Sequence, residues 1–242
     1  MKKFNYDRLL LFLFWPLTAF ILFCDSRVVA EQGWNGQLLG NLLAPAFLLA
    51  LMSQMPPQRR LVAAVFVPLS AIGEGIFSLV FGLYGYRLGG VPVYVPFGHS
   101  ILLCIGLMLA DSDFVMRHER RVRSTLICFH GGLIAGALLL FNDTLSAIWG
   151  IGFFALLHRS RGRVLYLIIG VLVLYIEILG TVWGCWVWRP APFGVLHTTN
   201  PPTGAFACYV VAEIIAMKFA VRLELLLARR RAGQPGNTYE VA

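Results

Sequence analysis

Charged side chains are scarce in this chain of 242 residues. Asp, Glu, Lys and Arg make up 13% of it, roughly half of the 25% that is usual in soluble globular domains. The mean hydropathy is +0.74, and the apolar residues follow one another in long blocks. This composition excludes a soluble globule. It predicts a bundle of membrane helices, because blocks of about 20 apolar residues match the thickness of a bilayer.

Motifs that bind cofactors are missing as well. The five cysteines show neither a C-x-x-C spacing nor a zinc pattern, and there is no glycine-rich nucleotide loop and no Ser-His-Asp arrangement. We therefore expect no metal and no cofactor. The net charge of +8 does not indicate a nucleic-acid partner, because the basic residues stand in short clusters between apolar blocks.

Eight apolar segments are candidates for membrane-spanning helices. They are residues 9–25, 38–55, 61–83, 91–110, 124–141, 143–158, 164–183 and 201–227. The sequence thus predicts an all-α, polytopic integral membrane helix bundle, with residues 1–242 as a single membrane domain and 232–242 as a polar, flexible tail. The sixth segment is short and follows the fifth after a tight turn, so the alternative is seven spans with a re-entrant fifth or sixth segment.

The positions of Lys and Arg predict the orientation of these segments. If the amino terminus is cytoplasmic, 17 of the 20 basic residues fall in cytoplasmic loops or tails, and only Arg27, Arg87 and Arg189 fall outside. This split follows the positive-inside rule. We expect a multi-pass protein of the cell membrane, most simply a bacterial inner membrane, with both termini in the cytoplasm. The first segment is expected to be a retained anchor, because its apolar stretch is long for a signal peptide.

Two short motifs in the chain resemble each other. GLYGYR (82–87) and GCWVWR (184–189) share the pattern G-x-(Y/W)-x-(Y/W)-R, and a glutamate stands before each glycine. Glu74 precedes its glycine by eight residues and Glu177 by seven. With eight spans both motifs lie on the outer face, so we expect two parallel repeats of four helices. The repeats would cover residues 1–118 and 119–231.

The polar residues around these motifs predict a pocket that opens to the outer face. A carboxylate inside the membrane normally faces the bundle interior, and His99 lies at a depth that would let it meet Glu74 across neighbouring helices. Aromatic residues at alternate positions place their rings on one side of an extended segment. The predicted catalytic residues are Glu74, Glu177 and His99, and the predicted substrate-binding residues are Tyr84, Tyr86, Arg87, Trp186, Trp188, Arg189 and Asn200.

Two other interpretations of these residues stay open. The aromatic residues alone are typical of the belt that membrane proteins place at the water boundary. The glutamates could instead be structural clamps, each pairing with the arginine of its own loop, Glu74 with Arg87 and Glu177 with Arg189.

The motifs also resemble a known family. The pattern E-x7-G-x-Y-x-Y followed by G-V-P-x-x-V-P is similar to the membrane carotenoid hydratases of the bisanhydrobacterioruberin type and, more distantly, to the small membrane lycopene cyclases. The first motif is carried by Glu74, Phe81, Gly82, Tyr84, Tyr86, Gly90, Val91, Pro92, Val95 and Pro96. The second is carried by Trp186, Trp188, Asn200 and Gly204. The resemblance implies cofactor-free acid–base chemistry on a double bond of an isoprenoid lipid.

The residues suit this chemistry, although a second class of function remains. A carboxyl group in an apolar site can keep its proton at neutral pH, and aromatic faces stabilise a carbocation. The alternative is a membrane transport, lipid-binding or assembly protein without enzymatic activity, because intramembrane carboxylates and proline-broken helices are also typical of transporters. In both cases the expected partner is a membrane lipid or an isoprenoid-like hydrophobic ligand.

Overall fold

The computed structural model describes residues 2–159 and 163–232 and shows an almost entirely helical chain. The elements in chain order are α1 (Lys2–Cys24), α2 (Arg27–Glu31), α3 (Gln37–Ser53), α4 (Pro57–Glu74) with a π-helical continuation (Gly75–Val80), β1 (Tyr84–Tyr86), α5 (Tyr94–Ala110), α6 (Asp113–Arg117), α7 (Glu119–Phe141), α8 (Thr144–Arg159), α9 (Arg163–Val182), β2 (Trp186–Trp188), a 3-10 turn (Pro192–Gly194) and α10 (Phe206–Ala232). The predicted all-α class is confirmed. The predicted tail after residue 232 and the loop at 160–162 lie outside the described residues.

Four stretches of helix are long and apolar enough to cross a membrane. They are Tyr6–Glu31, Pro57–Val80, Glu119–Phe141 and Val164–Val182. α3 and α5 are shorter apolar helices. A multi-pass membrane protein is thus supported, and each of the eight predicted segments falls on one long helix. The fifth and sixth segments form two separate helices, α7 and α8.

Local chemistry explains several helix ends. Pro57 occupies the first turn of α4, where its missing N–H is not needed. Asn142 ends α7 in the left-handed conformation, with a φ of 55°, which asparagine tolerates better than most residues. The next residue, Asp143, caps α8 by accepting a hydrogen bond from the backbone N–H of Ser146 at 2.9 Å. The tight turn between α7 and α8 therefore follows from two adjacent residues.

Helices α5 and α9 form the middle of the bundle. α5 packs against α3, α4 and α9, while α10 packs against α4, α8 and α9. Among the four spanning candidates, the apolar window of α9 is 61% buried and that of α7 only 17%, so α9 is interior and α7 is peripheral. Small residues allow this close packing, since a Cβ added at Gly106 of α5 would lie 2.7 Å from the Ile169 side chain of α9.

Two short strands cover the end of the bundle where α4 and α9 finish. β1 and β2 pair antiparallel, with Tyr84 opposite Trp188 and Tyr86 opposite Trp186. The pairing continues symmetrically beyond the strands, because the N–H groups of the two motif arginines each donate at 2.9 Å to a carbonyl of the other motif. The sequence indicated extended segments here but not that they pair with each other.

Each strand is preceded by a glycine that the turn requires. Gly82 and Gly184 have φ values of 59° and 70°, in the left-handed region that favours glycine. A Cβ at Gly82 would also lie 2.9 Å from the guanidinium carbon of Arg189. The shared glycine of the two motifs therefore serves both the turn and the packing above it.

The π-helical continuation of α4 explains the unequal spacing of the two glutamates. The Phe81 N–H donates to the carbonyl of Ile76, five residues back, at 2.8 Å. A π-helical turn holds one residue more than an α-helical turn. The extra residue between Glu74 and Gly82 is absorbed there, and both glutamates keep the same relation to their strands.

Candidate functional site

The four aromatic rings of the strand pair point into the bundle. Tyr84, Tyr86, Trp186 and Trp188 are all buried, whereas the residues between them in each strand are exposed. The rings contact across the pair, with centroids of Tyr84 and Trp188 4.4 Å apart. The prediction that alternation places the rings on one side is confirmed. An aromatic belt is not the arrangement found, since the rings face the interior.

Glu74 is hydrogen-bonded to three side chains. Its Oε2 accepts from the hydroxyls of Tyr84 at 2.6 Å and Tyr86 at 2.5 Å. Its Oε1 lies 2.7 Å from Nε2 of His99 on α5. Only 5% of Glu74 is exposed. The predicted approach of Glu74 and His99 on neighbouring helices is confirmed.

Glu177 has the same arrangement with different donors. Its Oε2 accepts from the indole N–H groups of Trp186 at 2.9 Å and Trp188 at 3.0 Å. Its Oε1 accepts from the hydroxyl of Tyr209 on α10 at 3.1 Å. Each carboxylate thus uses one oxygen for both rings of its own motif and the other oxygen for a ring of the following long helix.

The two carboxylate clusters meet at one pair of stacked rings. The rings of His99 and Tyr209 lie 4.3 Å apart with an angle of 11° between their planes. Glu74 therefore connects to Glu177 through side chains in direct contact, and the two motifs build one site. Tyr209 is not among the site residues that the sequence predicts. The available signal was its position on the eighth segment, one turn before the intramembrane Glu213.

A cavity of about 100 Å³ lies beneath the strand pair. Its polar lining includes both glutamates, His99, Tyr209 and the four motif rings, and its remaining wall is largely apolar. Helices α4, α5, α9 and α10 all contribute to it. The third, fourth, seventh and eighth predicted segments thus converge as a shared cavity requires.

Arg87 lies outside the cavity and does not pair with Glu74. Its Nη2 lies 2.6 Å from Oδ1 of Asp25, and its Nε donates to the Asp25 carbonyl at 2.8 Å. Asp25 is fully buried and also accepts from the Tyr94 hydroxyl at 2.8 Å. Arg87 therefore ties the end of β1 to the end of α1. The clamp interpretation for Glu74 is wrong.

Arg189 and Asn200 also lie outside the cavity lining. The side-chain oxygen of Asn200 accepts the backbone N–H of Trp188 at 3.1 Å and so holds β2 in place. The Arg189 guanidinium packs over Gly82. No salt bridge within residues 2–159 and 163–232 includes Arg189, so the second clamp is also not the arrangement found. These residues support the strands, and a direct contact with substrate stays a prediction.

The electrostatics of the strand pair keep the two tyrosine hydroxyls as hydrogen-bond donors to Glu74. Burial, and next the Glu74 carboxylate, raise the pKa of the Tyr84 and Tyr86 hydroxyls well above the ordinary value. Both phenols therefore keep their protons at neutral pH. Within the described part of the chain, no group of three His, Cys, Asp or Glu residues could hold a metal ion.

Comparisons with family models, curated proteins and solved structures give no match to this chain. The resemblance to the carotenoid hydratases therefore stays a prediction. The geometry of the site has to carry any functional argument.

Proposed function

We propose that this protein is a cofactor-free acid–base enzyme that acts on a carbon–carbon double bond of an isoprenoid lipid. One observation carries the proposal. Two buried carboxyl groups, each hydrogen-bonded to three side chains and joined through the His99–Tyr209 stack, line a cavity of a membrane bundle whose remaining wall is largely apolar. Such a cavity admits hydrocarbon, and its few polar groups are all suited to moving protons or stabilising positive charge.

The reaction balances with water as the second reactant. The proton shared by Glu74 Oε1 and His99 Nε2 passes to one alkene carbon, and the π electron pair forms the new C–H bond. The other carbon becomes a tertiary cation, which the ring faces and the Glu177 carboxylate stabilise. A water oxygen then bonds to the cation, and its released proton returns to the Glu74–His99 pair. The alkene has gained one water, and the site is unchanged.

The size of the cavity limits how much of a ligand it receives. An engineered protein cavity of about 150 Å³ holds one benzene molecule, so about 100 Å³ has room for one branched end of a linear isoprenoid. The rest of the chain would extend from the cavity into the surrounding lipid. We therefore propose a double bond near the end of a chain as the reacting group.

Eight spans, cytoplasmic termini and an outer position of the strand pair belong to the same proposal. The distribution of Lys and Arg supports the orientation. A repeat in which α1, α3, α4 and α5 correspond to α7, α8, α9 and α10 is supported by matching contacts between helices. α4 packs against α5 as α9 packs against α10, and α3 packs against α5 as α8 packs against α10. The contact of α4 with α10 likewise corresponds to the contact of α9 with α5. The symmetric strand register agrees with this relation.

A binding or transport protein without enzymatic activity is the second candidate. The observation that favours it is that every carboxyl oxygen of Glu74 and Glu177 already has a hydrogen-bond partner in the protein. Such saturation suits a rigid binding site, whereas a catalyst must release at least one of these bonds. Detection of product separates the two.

The test has two measurements on one preparation. Protein purified in mild detergent is extracted, and the bound lipids are identified by mass spectrometry. The protein is then placed in liposomes that contain lycopene, and the extract is searched for a species heavier by one water. We expect conversion by the wild type and by Glu31→Gln, a control at an exposed glutamate, and none by Glu74→Gln. Retained isoprenoid without conversion favours the binding protein. If neither bound isoprenoid nor conversion is found, the isoprenoid proposal has no support.

A further inference from the structure

Glu213 on α10 is a buried carboxyl group that the proposed chemistry leaves unused. It is 0% exposed, and neither of its oxygens accepts a hydrogen bond from any described residue. It also takes part in no salt bridge within the described part of the chain. Glu74 and Glu177, by contrast, each have three hydrogen-bond partners.

An isolated carboxylate in such surroundings is strongly disfavoured. Moving an unpaired ion into the interior of a protein costs several kcal/mol even after relaxation, and the group normally keeps a proton instead. Glu213 is therefore expected to be a neutral acid. A neutral acid needs no ion pair and holds one proton that can be given away.

The position of Glu213 connects this proton to the site. Tyr209 stands four residues earlier on the same helix, so the two side chains lie on one face about 5–6 Å apart at Cβ. Helical side chains lean towards the amino terminus of their helix, so Glu213 leans towards the turn that carries Tyr209. Ala212, next to Glu213, already lines the cavity wall.

We propose that Glu213 is the proton store of this site and exchanges its proton with Glu177 through Tyr209. A proton passes from the Glu213 carboxyl group to the Tyr209 oxygen over one bridging water. The Tyr209 hydroxyl hydrogen moves along its existing bond to Oε1 of Glu177. Glu213 becomes a carboxylate, Glu177 becomes an acid, and Tyr209 is unchanged.

This inference rests on the proposed function, because it gives the same site a further group that can hold and exchange a proton. Its test uses no substrate and therefore fails separately. The protein is reconstituted in nanodiscs, and infrared spectra are recorded as water is replaced by D2O. A protonated carboxyl group has a C=O stretching band that shifts when its hydrogen is replaced by deuterium.

We expect a protonated-carboxyl band in the wild type that shifts in D2O and is lost in Glu213→Gln. The control Glu31→Gln should keep it. Tyr209→Phe should keep the band but slow its shift by about a hundredfold, the usual contribution of one positioned proton-transfer group. If Glu213→Gln does not fold, Glu213→Asp replaces it, and the band should change its frequency.

Three results would overturn the proposal. The first is a spectrum in which neither substitution at Glu213 alters a protonated-carboxyl band, because the residue would then be ionised. The second is a Glu213 band that never shifts in D2O, because a sealed proton supplies nothing. The third is an unchanged exchange rate in Tyr209→Phe, which would remove Tyr209 from the route.

Discussion

Replacing Glu74 by glutamine should abolish the reaction while the fold survives. The glutamine oxygen can accept from both Tyr84 and Tyr86, as Oε2 of Glu74 does. Its amide nitrogen can donate to Nε2 of His99 if the imidazole carries its hydrogen on Nδ1. This Nδ1 has no hydrogen-bond partner among the described residues, so placing the hydrogen there breaks no bond.

The energetic consequence follows from these three bonds. Each changes from charge-assisted to neutral, which weakens it by about 1 kcal/mol, or about 3 kcal/mol together. The loss is offset because the variant no longer buries a charge, whose desolvation costs several kcal/mol. We expect the unfolding free energy to change by less than about 2 kcal/mol. Conversion of the isoprenoid should fall by about 100-fold or more, since the proton-transfer group is gone.

Thermal unfolding in detergent and product yield in liposomes measure the two effects side by side. Glu74→Ala is the matched comparison, because it leaves three buried donors without an acceptor and should cost at least about 3 kcal/mol. If Glu74→Gln were as unstable as Glu74→Ala, Glu74 would be a structural residue. If Glu74→Gln were stable and fully active, the acid–base role would be refuted.

Three further predictions concern the other glutamate, the arginines and the topology. Glu177→Gln should keep both indole hydrogen bonds but lose one buried acceptor. We therefore expect the unfolding free energy, measured by thermal unfolding, to fall by about 1–3 kcal/mol, and conversion to be lost. Full activity of this variant would contradict the proposed role of Glu177. Arg87→Ala should destabilise the fold by about 3–5 kcal/mol, because it leaves the buried Asp25 carboxylate without its cation. Arg189→Ala should change stability by less than about 1 kcal/mol. Equal losses of stability in the two variants would contradict this prediction. Reporter fusions test the orientation. We expect fusions at Gly89 and Pro192 to report an external position and a fusion at Arg161 to report a cytoplasmic position. A cytoplasmic readout at Gly89 would refute the proposed topology.

Features that depend on neighbouring residues can be predicted from the amino-acid sequence alone. Apolar blocks locate helices because a helix satisfies its backbone hydrogen bonds within the segment. The alternation around Tyr84 and Tyr86 placed both rings on one side, because successive side chains of a strand point to opposite faces. The depths of Glu74 and His99, counted from the loop between them, were enough to predict their contact, because a helix rises by a constant 1.5 Å per residue.

Contacts between groups that are distant in the chain follow from the tertiary packing. Charge alone suggested arginine as the partner of each glutamate, yet Arg87 reaches Asp25, 62 residues away in sequence. Glu177 instead accepts from the indoles of its own loop and from Tyr209, 32 residues away. Neutral indole and phenol donors bind the glutamates because the paired strands direct the four rings inward, while the arginines lie beyond the strands. That direction depends on the pairing of two segments about a hundred residues apart, which no local pattern contains.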